Sequence, residues 1–462
     1  MALALIAATA TASVVFWPGD MDGDTNVYIH QALSGQSGDD WHAPVISAVW
    51  HLFAIVGLRS PGWVLAGGVM ALLAGMYLVL RIRLSRAWAL ACSLVVFVYP
   101  PVLAYAVHIG GDSWVAALTL CAFGLLARGA QSSGRARAAW LGASVACAFF
   151  ATAARHNAPP IAFAFGSAAT VLLVGLRPGW RRILTVVIGG VATTALMVGA
   201  VTTLERVPLR ATASHPESHT YVYDLVQMSL RENRNLLPAS VYPRDLAYMR
   251  HWTTSEYTDG LFWGSGGVIA SGLAGQPLRD LKGAWIRAVR DRPLDYLLVR
   301  ANLTRYEISL SGRLPVAFFR DEPPPSLAEY PVAFPGLRSA AVKYIGVGAP
   351  GAEAPGGTGD AGPLQTVWVY LLALTLGLVR YARSDRRLDS CLAWLAAAGL
   401  LYMLGLAFTD PQVSYRYAYP SVAVGTVLAV LLGAEAVRRL RPAVSSRMSD
   451  PSSGTTCTAG AE

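Results

Sequence analysis

Residues 62–80 read GWVLAGGVMALLAGMYLVL, an apolar run without a single charge. At a rise of about 1.5 Å per residue, a helix of this length crosses most of the roughly 30 Å hydrocarbon core of a bilayer. The run ends at the cluster Arg81-Ile-Arg-Leu-Ser-Arg86. Short loops rich in Lys and Arg remain in the cytoplasm, so this stretch predicts a transmembrane helix with a cytoplasmic C-terminal end.

The same arrangement recurs along the whole chain, where apolar runs separate basic connectors from acidic or weakly charged ones. The further basic clusters contain Arg128, Arg135 and Arg137; Arg177, Arg181 and Arg182; Arg380, Arg383, Arg386 and Arg387; and Arg438, Arg439 and Arg441. The alternate connectors contain Asp20, Asp22, Asp24, Asp39, Asp40, Asp112 and Asp410. The charge bias therefore predicts that the arginine clusters are cytoplasmic and that the carboxylates face outward.

The composition excludes an ordinary soluble domain. Hydrophobic residues make up 54% of the chain and charged residues 14%, against about 25% charged in a typical globular protein. The net charge of +9 is explained by cytoplasmic arginines beside anionic lipid, so no nucleic-acid partner is expected. None of the five cysteines lies in the long external segment described below, which argues against a disulfide framework there.

These patterns predict a mainly α, polytopic transmembrane helical bundle of about ten spans, with both termini cytoplasmic, in the plasma membrane. Residues 1–17 are expected to be a retained first helix rather than a cleaved signal peptide, because they lack a basic leader and a small-residue cleavage site. The predicted spans are 1–17, 62–80, 87–104, 113–127, 138–154, 158–176, 183–203, 364–380, 389–408 and 418–435.

The spans divide the chain into a seven-span module (1–203), an extracytoplasmic segment (204–363), three C-terminal spans (364–441) and a Ser/Thr/Gly-rich tail (442–462) predicted to be disordered. The first external loop, 18–61, contains an amphipathic helix over Val45–Val56 that is expected to lie along the membrane surface. The extracytoplasmic segment is predicted to contain helices over Tyr221–Arg231, Leu278–Arg290 and Leu294–Ser309, a joint at Pro323–Pro325 and a Gly/Pro-rich link over Gly346–Pro363.

The first external loop carries carboxylates at alternate positions, in Gly19-Asp-Met-Asp-Gly-Asp-Thr-Asn-Val-Tyr28. Such crowding raises at least one carboxyl pKa unless a cation or ligand compensates, and a carboxylate of this kind suits a general base. Two other interpretations stay open. The loop could be a solvated acidic face, or a calcium loop, although it lacks the Glu that calcium loops carry at position twelve.

Charged residues at other external helix ends are also candidates for the site. Asp112, in His108-Ile-Gly-Gly-Asp-Ser-Trp114, could cap a helix or join the site. Arg155, beside His156 and Asn157, and Arg416, in Ser414-Tyr-Arg-Tyr417, stand against the positive-inside bias. They could extend into outer headgroups, but planar guanidinium groups also match phosphate.

The order Asp24-x-x-x-Tyr28, then Trp41-His-Ala-Pro44, then an amphipathic helix resembles the GT-C superfamily of membrane glycosyltransferases, in particular its family-39-like branch. That branch includes protein O-mannosyltransferases and aminoarabinose transferases. The resemblance covers about residues 15–205 and the pair Arg416-Tyr417. It implies a catalytic carboxylate after the first helix and a second acidic residue, here Asp112. Many relatives have adjacent Asp-Glu where this chain has Asp22-Gly-Asp24, so the resemblance leaves the base open between Asp22 and Asp24.

The resemblance implies an inverting enzyme that moves a sugar from a polyprenyl-phosphate donor to a glycan, lipid or protein acceptor in the cell envelope. No cofactor is expected to be required, and the sequence does not decide whether a divalent metal takes part. The implied catalytic residues are Asp24, Asp22 and Asp112, and the implied substrate-binding residues are Tyr28, Trp41, His42, Arg155, Asn157, Arg416 and Tyr417. Alternatives are a transporter or flippase for lipid-linked glycans and a noncatalytic envelope scaffold. The sequence has no internal repeat of the transporter kind and no ionisable residue in mid-span.

Overall fold

The computed structural model describes residues 1–35, 38, 40–174, 180–263, 266–270, 272–310, 314–315, 328–345, 358–359, 364, 366–384 and 386–448. This part of the chain is almost entirely helical. Its helices are α1 (Ala2–Phe16), α2 (Gly23–Ser34), α3 (Pro44–Ile55), α4 (Pro61–Leu80), α5 (Arg86–Val98), α6 (Pro100–Ala106), α7 (Gly111–Gln131), α8 (Gly134–Ala153), α9 (Pro159–Val174), α10 (Trp180–Arg206), α11 (Glu217–Glu232), α12 (Leu246–Trp252), α13 (Gly275–Asp291), α14 (Pro293–Glu307), α15 (Pro335–Ile345), α16 (Val367–Ala382), α17 (Asp389–Thr409) and α18 (Tyr415–Met448). Short strands β1 (Leu314–Pro315) and β2 (Thr358–Gly359) pair antiparallel.

The transmembrane bundle agrees with the predicted fold class. Within the described residues, six helices are long and apolar enough to cross a membrane: α4, α7, α8, α10, α17 and the Tyr415–Leu440 part of α18. The shorter apolar helices α1, α9 and α16 occupy three more predicted spans, and α5 with α6 occupies the remaining one. Every predicted span therefore falls on apolar helix, and the chain is a multi-pass membrane protein.

The predicted continuous span over 87–104 is wrong in one respect. The chain bends by 77° between α5 and α6. The break follows from Pro100 and Pro101, which lack the backbone N–H that a continuous helix needs. Tyr99, the residue before them, takes an extended conformation with φ −63° and ψ 125°, as steric contact with a following proline requires. Helix α6 consequently turns back toward the loops that form the candidate site.

The bundle core lies around α7, which packs closely against α4. A Cβ added to Gly75 would come within 2.8 Å of the backbone nitrogen of Cys121, and one added to Gly124 within 2.5 Å of Leu78 Cβ. Small residues at such crossings let helices approach closely in a membrane, where packing contacts and hydrogen bonds hold helices together. These glycines therefore fix the pair of helices on which the rest of the seven-span module is built.

The connectors predicted to be cytoplasmic meet at one end of the bundle. Arg83 pairs with Asp389 at the start of α17, and its Nε lies 3.6 Å from Glu435 in α18. Arg380 at the end of α16 donates a 3.0 Å hydrogen bond to the same Glu435. These connectors, which were predicted to lie on the same side of the membrane, thus meet at the same end of the bundle. A chain that crosses the membrane back and forth requires this arrangement. That this end is cytoplasmic stays a prediction from the charge bias.

The first external loop contains two short helices, α2 and α3, which pack on each other, and α3 covers the predicted amphipathic stretch Val45–Val56 except for its last residue. In the extracytoplasmic segment, the predicted stretches Tyr221–Arg231 and Leu278–Arg290 are confirmed as parts of α11 and α13. The predicted Leu294–Ser309 helix is confirmed as far as Glu307, where α14 ends. Residues Val222, Leu225, Leu261 and Leu281 belong to a separate apolar core of this segment. The joint at Pro323–Pro325 lies outside the described residues, as does the link Gly346–Pro363 except for β2.

The beginning of the tail differs from the prediction of disorder from residue 442. Helix α18 continues without interruption to Met448. Extending an existing helix by a turn or two is far easier than nucleating a new one, so the helix formed by the last span carries into the polar sequence. The tail beyond Met448 lies outside the described residues.

Candidate functional site

The candidate site lies where the acidic connectors converge, at the end of the bundle opposite the arginine clusters. A backbone bridge brings the first external loop against the α6–α7 connector, since Asp20 N–H donates to Val107 and Ile109 N–H donates to Asp20, each over 2.9 Å. The start of α18 completes the site through Arg416. Segments separated by hundreds of residues thus form one polar cluster.

Asp22 fixes the beginning of α2. Its Oδ1 accepts the backbone N–H of Thr25 over 3.0 Å, and its own N–H donates to the Thr25 hydroxyl oxygen over 3.1 Å, which makes a reciprocal capping box. The Thr25 hydroxyl also donates over 2.9 Å to the carbonyl of Ile109. One oxygen of Asp22 is therefore committed to the helix cap, while Oδ2 is directed into the site.

Arg416 joins the two candidate bases. Its NH1 donates to Asp22 Oδ2 over 2.9 Å and to Asp24 Oδ2 over 2.7 Å. The other oxygen of Asp24 lies 3.2 Å from Nε2 of His42. The Asp24 side chain is 29% exposed, more than that of Asp22 at 20%, so Asp24 is the more accessible of the two to a substrate.

The ion pairs change the protonation behaviour expected from the sequence. Burial raises the pKa of Asp24, but Arg416 and then His42 outweigh burial and hold this pKa well below its usual value. The crowding of carboxylates in the first loop is thus compensated by a cation that lies far away in the sequence. A lowered pKa favours the ionised carboxylate and makes it a weaker proton acceptor while Arg416 stays beside it.

Asp112 and Arg155 form a second ion pair beside the first. Arg155 donates to both oxygens of Asp112, from Nε and from NH2, each over 2.8 Å. Asp112 is 3% exposed, so the fork of the guanidinium satisfies a buried carboxylate at the start of α7. Of the two alternatives for Asp112, the helix cap is not observed, because no side-chain cap bond forms at the start of α7.

Tyr417 connects the two ion pairs. The guanidinium carbon of Arg155 lies 4.8 Å from the centre of the Tyr417 ring, and that of Arg416 lies 5.0 Å from it. Arg416 NH2 also donates to the Tyr417 hydroxyl over 3.2 Å. Both arginines are held near one aromatic ring, where cation–π attraction offsets part of their repulsion. Two cationic groups thus remain adjacent at the membrane-proximal end of the loops.

The structure adds residues that the sequence argument left out, chiefly Asp20 and His108. His108 Nδ1 lies 3.0 Å from Asp20 Oδ2, and its Nε2 lies 3.6 Å from Asp22. Burial lowers the pKa of His108, but Asp22 and Asp20 outweigh it, so the pKa lies above its usual value. Arg338 of α15 donates to the carbonyl of Gly19 over 3.0 Å. A histidine four positions before Asp112 was the available sequence signal for this part of the site.

The aromatic candidates differ in accessibility. Tyr28 is only 2% exposed and meets His42 edge to face at 5.6 Å, so it supports His42 rather than offering an open platform. Trp41 is half-buried and lies 5.6 Å from the ring of His219 and 6.2 Å from that of Trp263, both in the extracytoplasmic segment. Trp114, at the end of the Asp112 motif, packs against Gly67 and Gly68 of α4.

The loop between α8 and α9 is held by its neighbours. The Tyr402 hydroxyl of α17 donates to Asn157 Oδ1 over 3.4 Å. His156 Nε2 lies 2.7 Å from the backbone oxygen of Asp40. Asp40 in turn accepts from Ser214, at its backbone N–H over 2.6 Å and its hydroxyl over 2.7 Å. Asn157 is therefore held in place by α17. The bonds of Asp40 tie the first external loop to the extracytoplasmic segment.

A pair of buried carboxyl groups lies behind the site. Glu307 of α14 and Asp410 after α17 are 4% and 5% exposed and line one cavity of about 10 Å³, room for about one water. Burial is the largest cause that raises the pKa of each group. Asp410 raises the pKa of Glu307 further, while Arg155 and Arg300 only partly offset the effect of burial on Asp410, so both pKa values lie well above the usual range. Glu307 Oε2 accepts the backbone N–H of Ser414 over 3.0 Å, which ties the pair to the segment that leads to Arg416.

The calcium-loop interpretation does not match the geometry of the first loop. Asp22 and Asp24 both meet the guanidinium of Arg416, and Asp20 meets His108. Side chains of the protein thus occupy the positions around these carboxylates that a calcium ion would need. Across the described ranges, no group of three or more His, Cys, Asp or Glu side chains is arranged to hold a metal ion.

Comparison with known proteins gives one structural likeness. Neither a protein-family model nor a curated protein matches the sequence. Among solved structures, the chain is similar to the crystal structure of ArnT from Cupriavidus metallidurans bound to undecaprenyl phosphate. The sequence identity is 14% and the TM-score 0.33, over 93% of this chain and 77% of that one. A likeness of this strength assigns neither family nor activity, so the function has to be argued from the side chains of the site.

Proposed function

We propose that this protein is an integral membrane glycosyltransferase that moves a sugar from a polyprenyl-phosphate donor to an acceptor of the cell envelope, on the outer face of the plasma membrane. The observation that carries the proposal is the pairing of Arg416 with Asp22 and Asp24, close to Arg155. It combines groups suited to an anionic leaving group with a carboxylate suited to proton removal. The acidic loop motif and the Trp41-His-Ala-Pro44 motif support the same class of reaction.

The arginines suit the leaving phosphate. The guanidinium carbons of Arg416 and Arg155 lie 5.0 and 4.8 Å from the centre of the Tyr417 ring. Both positive charges would therefore act on a phosphate bound there. Asp112 holds Arg155 by two 2.8 Å hydrogen bonds and acts as its positioning residue. A donor whose lipid tail remains in the bilayer would present its phosphate at this level, because the cluster lies at the ends of membrane-spanning helices.

Donor binding then prepares the base. A phosphate oxygen on Arg416 competes with Asp24 for the same guanidinium. Once Arg416 turns to the phosphate, the pKa of Asp24 rises from its depressed value and the carboxylate becomes a better proton acceptor. Asp22 suits this task less well because one of its oxygens is held by the α2 cap. Asp24 is therefore the proposed general base, with His42 as the group that orients it.

The proposed reaction is a single displacement with inversion. The acceptor hydroxyl loses its proton to Asp24 while its oxygen forms a bond to the anomeric carbon. The bond from that carbon to the phosphate oxygen breaks, and the electron pair leaves with polyprenyl phosphate, whose charge Arg416 and Arg155 stabilise. Trp41 would contact the sugar or the acceptor from the side of the extracytoplasmic segment.

Purified full-length protein in lipid nanodiscs, given a panel of polyprenyl-phosphate sugars, tests the proposal. Release of polyprenyl phosphate together with a glycosylated acceptor of inverted configuration is expected, and parallel reactions with EDTA decide the metal requirement. Movement of an intact lipid-linked sugar across a vesicle membrane without transfer would identify a flippase instead. A protein that binds envelope components but turns over no donor would be a scaffold.

A further inference from the structure

Helix α14 of the extracytoplasmic segment exposes a stripe of leucines. Its outward face exposes Leu294 at 74%, Leu297 at 50% and Leu298 at 51%, and Ala301 continues the same face. Spacings of three and four residues place these side chains in one stripe. The buried face carries Val299 and Leu303 together with Arg300, which is 2% exposed and pairs with Asp224 at 2.8 Å. The exposed leucine stripe is therefore additional to the apolar residues that the helix already buries, and a stripe of this kind suits an apolar neighbour.

The end of α14 lies at the level of the membrane boundary. The N–H of Trp368, in the first turn of α16, donates over 3.1 Å to the carbonyl of Ile308 directly after α14. Leu303 of α14 shares a cavity lining with Met403 and Leu406, in the last turns of the membrane-spanning α17. The C-terminal end of α14 therefore packs against the ends of the bundle helices α16 and α17, next to the expected membrane boundary.

A cleft of about 420 Å³ opens beside the leucine face, between α11 and α14. This volume falls within the roughly 300–1,000 Å³ of small-molecule sites. Leu298 and Ala301 form its apolar edge, Gln227 and Asn302 supply amide groups, and Arg231 and Arg305 supply positive charge. An apolar stripe that leads into a polar, cationic cleft matches an amphiphile with an anionic head.

The cleft arginines are available to a ligand. Arg231 meets Asp295 at 3.4 Å, with side chains 46% and 39% exposed, and an exposed pair of this kind contributes little. Arg305 is exposed and has no ion pair with any carboxylate of the described residues. Neither charge is used by the candidate active site, and an anion bound between them would have little competition within the protein.

We propose that this cleft binds the head group of an anionic membrane phospholipid whose acyl chains lie along the leucine face of α14. The site is separate from the candidate active site and does not depend on the proposed function. It lies one loop away, because Ser255 lines the cleft and the next residue, Glu256, accepts the N–H of Val413 over 3.0 Å. Val413 precedes Arg416 by three residues, so a bound lipid also supports the segment that carries Arg416.

The test uses the purified full-length chain in neutral detergent, titrated with phosphatidylglycerol, phosphatidylcholine or glycerol 3-phosphate, with bound molecules counted by native mass spectrometry. The double variant Arg231→Gln/Arg305→Gln removes the charges, and Leu297→Ser/Leu298→Ser alters the apolar face. Arg290→Gln is the matched control, because Arg290 is 72% exposed on α13 and outside the cleft. Unchanged thermal unfolding of each variant shows that it is folded.

Phosphatidylglycerol is expected to bind more tightly than phosphatidylcholine. Its affinity should fall about 25-fold in the arginine variant, at about five-fold per arginine, and about ten-fold in the leucine variant, with Arg290→Gln unchanged. Equal affinity for both lipids, or an equal loss in Arg290→Gln, overturns the proposal. Glycerol 3-phosphate binding as tightly as the lipid would identify a soluble phosphate site instead. A dimer that the leucine variant converts to monomer, with lipid binding unchanged, would show that a second copy covers this face.

Discussion

Arg416 donates a 2.7 Å hydrogen bond to Asp24, a residue 392 positions earlier in the chain. The bond closes the candidate site between the first external loop and the beginning of the last helix. It also sets the protonation of Asp24, whose pKa it holds well below the usual value against the effect of burial. The two ends of the chain therefore have to come together before the proposed base and the proposed phosphate ligand exist as a pair.

Replacing Asp24 by Asn should nearly abolish transfer while leaving the fold intact. Loss of a general base typically lowers the rate about 10²–10⁴-fold, and the amide keeps the shape of the side chain. Turnover of a polyprenyl-phosphate sugar measures the effect, and thermal unfolding checks the fold.

Asp22→Asn is the matched comparison for Asp24→Asn. Asn caps helices as well as Asp does, so this variant removes only the charge and keeps the beginning of α2. We expect a smaller loss of rate than in Asp24→Asn. If Asp22→Asn abolishes turnover and Asp24→Asn does not, Asp22 is the base. If both variants remain active, the acidic loop is a solvated face and the proposed mechanism is wrong.

Arg416→Ala and Arg155→Ala should weaken donor binding, because each removes a charge-assisted contact to phosphate. Arg155→Ala should also destabilise the protein, since it leaves Asp112 buried without its partner, at a cost of about 3–5 kcal/mol. The double variant Arg155→Ala/Asp112→Asn should recover stability but not donor affinity. Donor titration and thermal unfolding separate the two effects, and recovered affinity in the double variant would contradict a phosphate role for Arg155.

The pH dependence of transfer should differ between the free enzyme and the donor complex. The depressed pKa of Asp24 keeps the base ionised in the free enzyme, so the acid limb of kcat/KM should lie below the usual carboxyl range. Donor phosphate draws Arg416 away and raises that pKa, which moves the acid limb of kcat to higher pH. If the acid limbs of the kcat/KM and kcat profiles fall at the same pH, Arg416 does not leave Asp24 during the reaction.

Stability should depend on pH through Glu307 and Asp410. Both pKa values are raised in the folded protein, mainly by burial, so the folded state holds more protons than the unfolded state between the usual and the raised pKa. Stability is therefore lost as pH rises through that window. Asp410→Asn should raise the unfolding temperature at neutral pH and flatten its pH dependence. Asp291→Asn, at an exposed position at the end of α13, is the control. An equal effect of both substitutions on the pH dependence of unfolding would count against the buried pair.

Cysteine labelling tests the orientation in the membrane. In a variant with Cys457→Ser, a cysteine at the exposed Ser240 should react with an impermeant reagent applied outside the cell. A cysteine at Ser445 should react only after the membrane is opened, because the arginine clusters place that end inside. Labelling at Ser445 but not at Ser240 from outside would reverse the predicted topology.

The sequence by itself determined the spans, the connectors that share an end of the bundle, and the short helices of the external loops. These features depend on hydropathy over about twenty residues and on local charge, both of which can be read along the chain. It also identified Asp22, Asp24, Asp112, Arg155 and Arg416 as candidates, because each is charged at an external helix end.

Only the tertiary structure decided which of these charges meet. The pairing of Arg155 with Asp112, of Arg416 with Asp22 and Asp24, and of His108 with Asp20 depends on how distant helices pack, which no local pattern records. The exposed leucine stripe of α14 could not be predicted for the same reason. Its leucines and arginines predict a helix, but only packing against α11 and α17 decides which face is buried. Burial and pairing are properties of contacts between remote segments, and they fixed the electrostatics of the site.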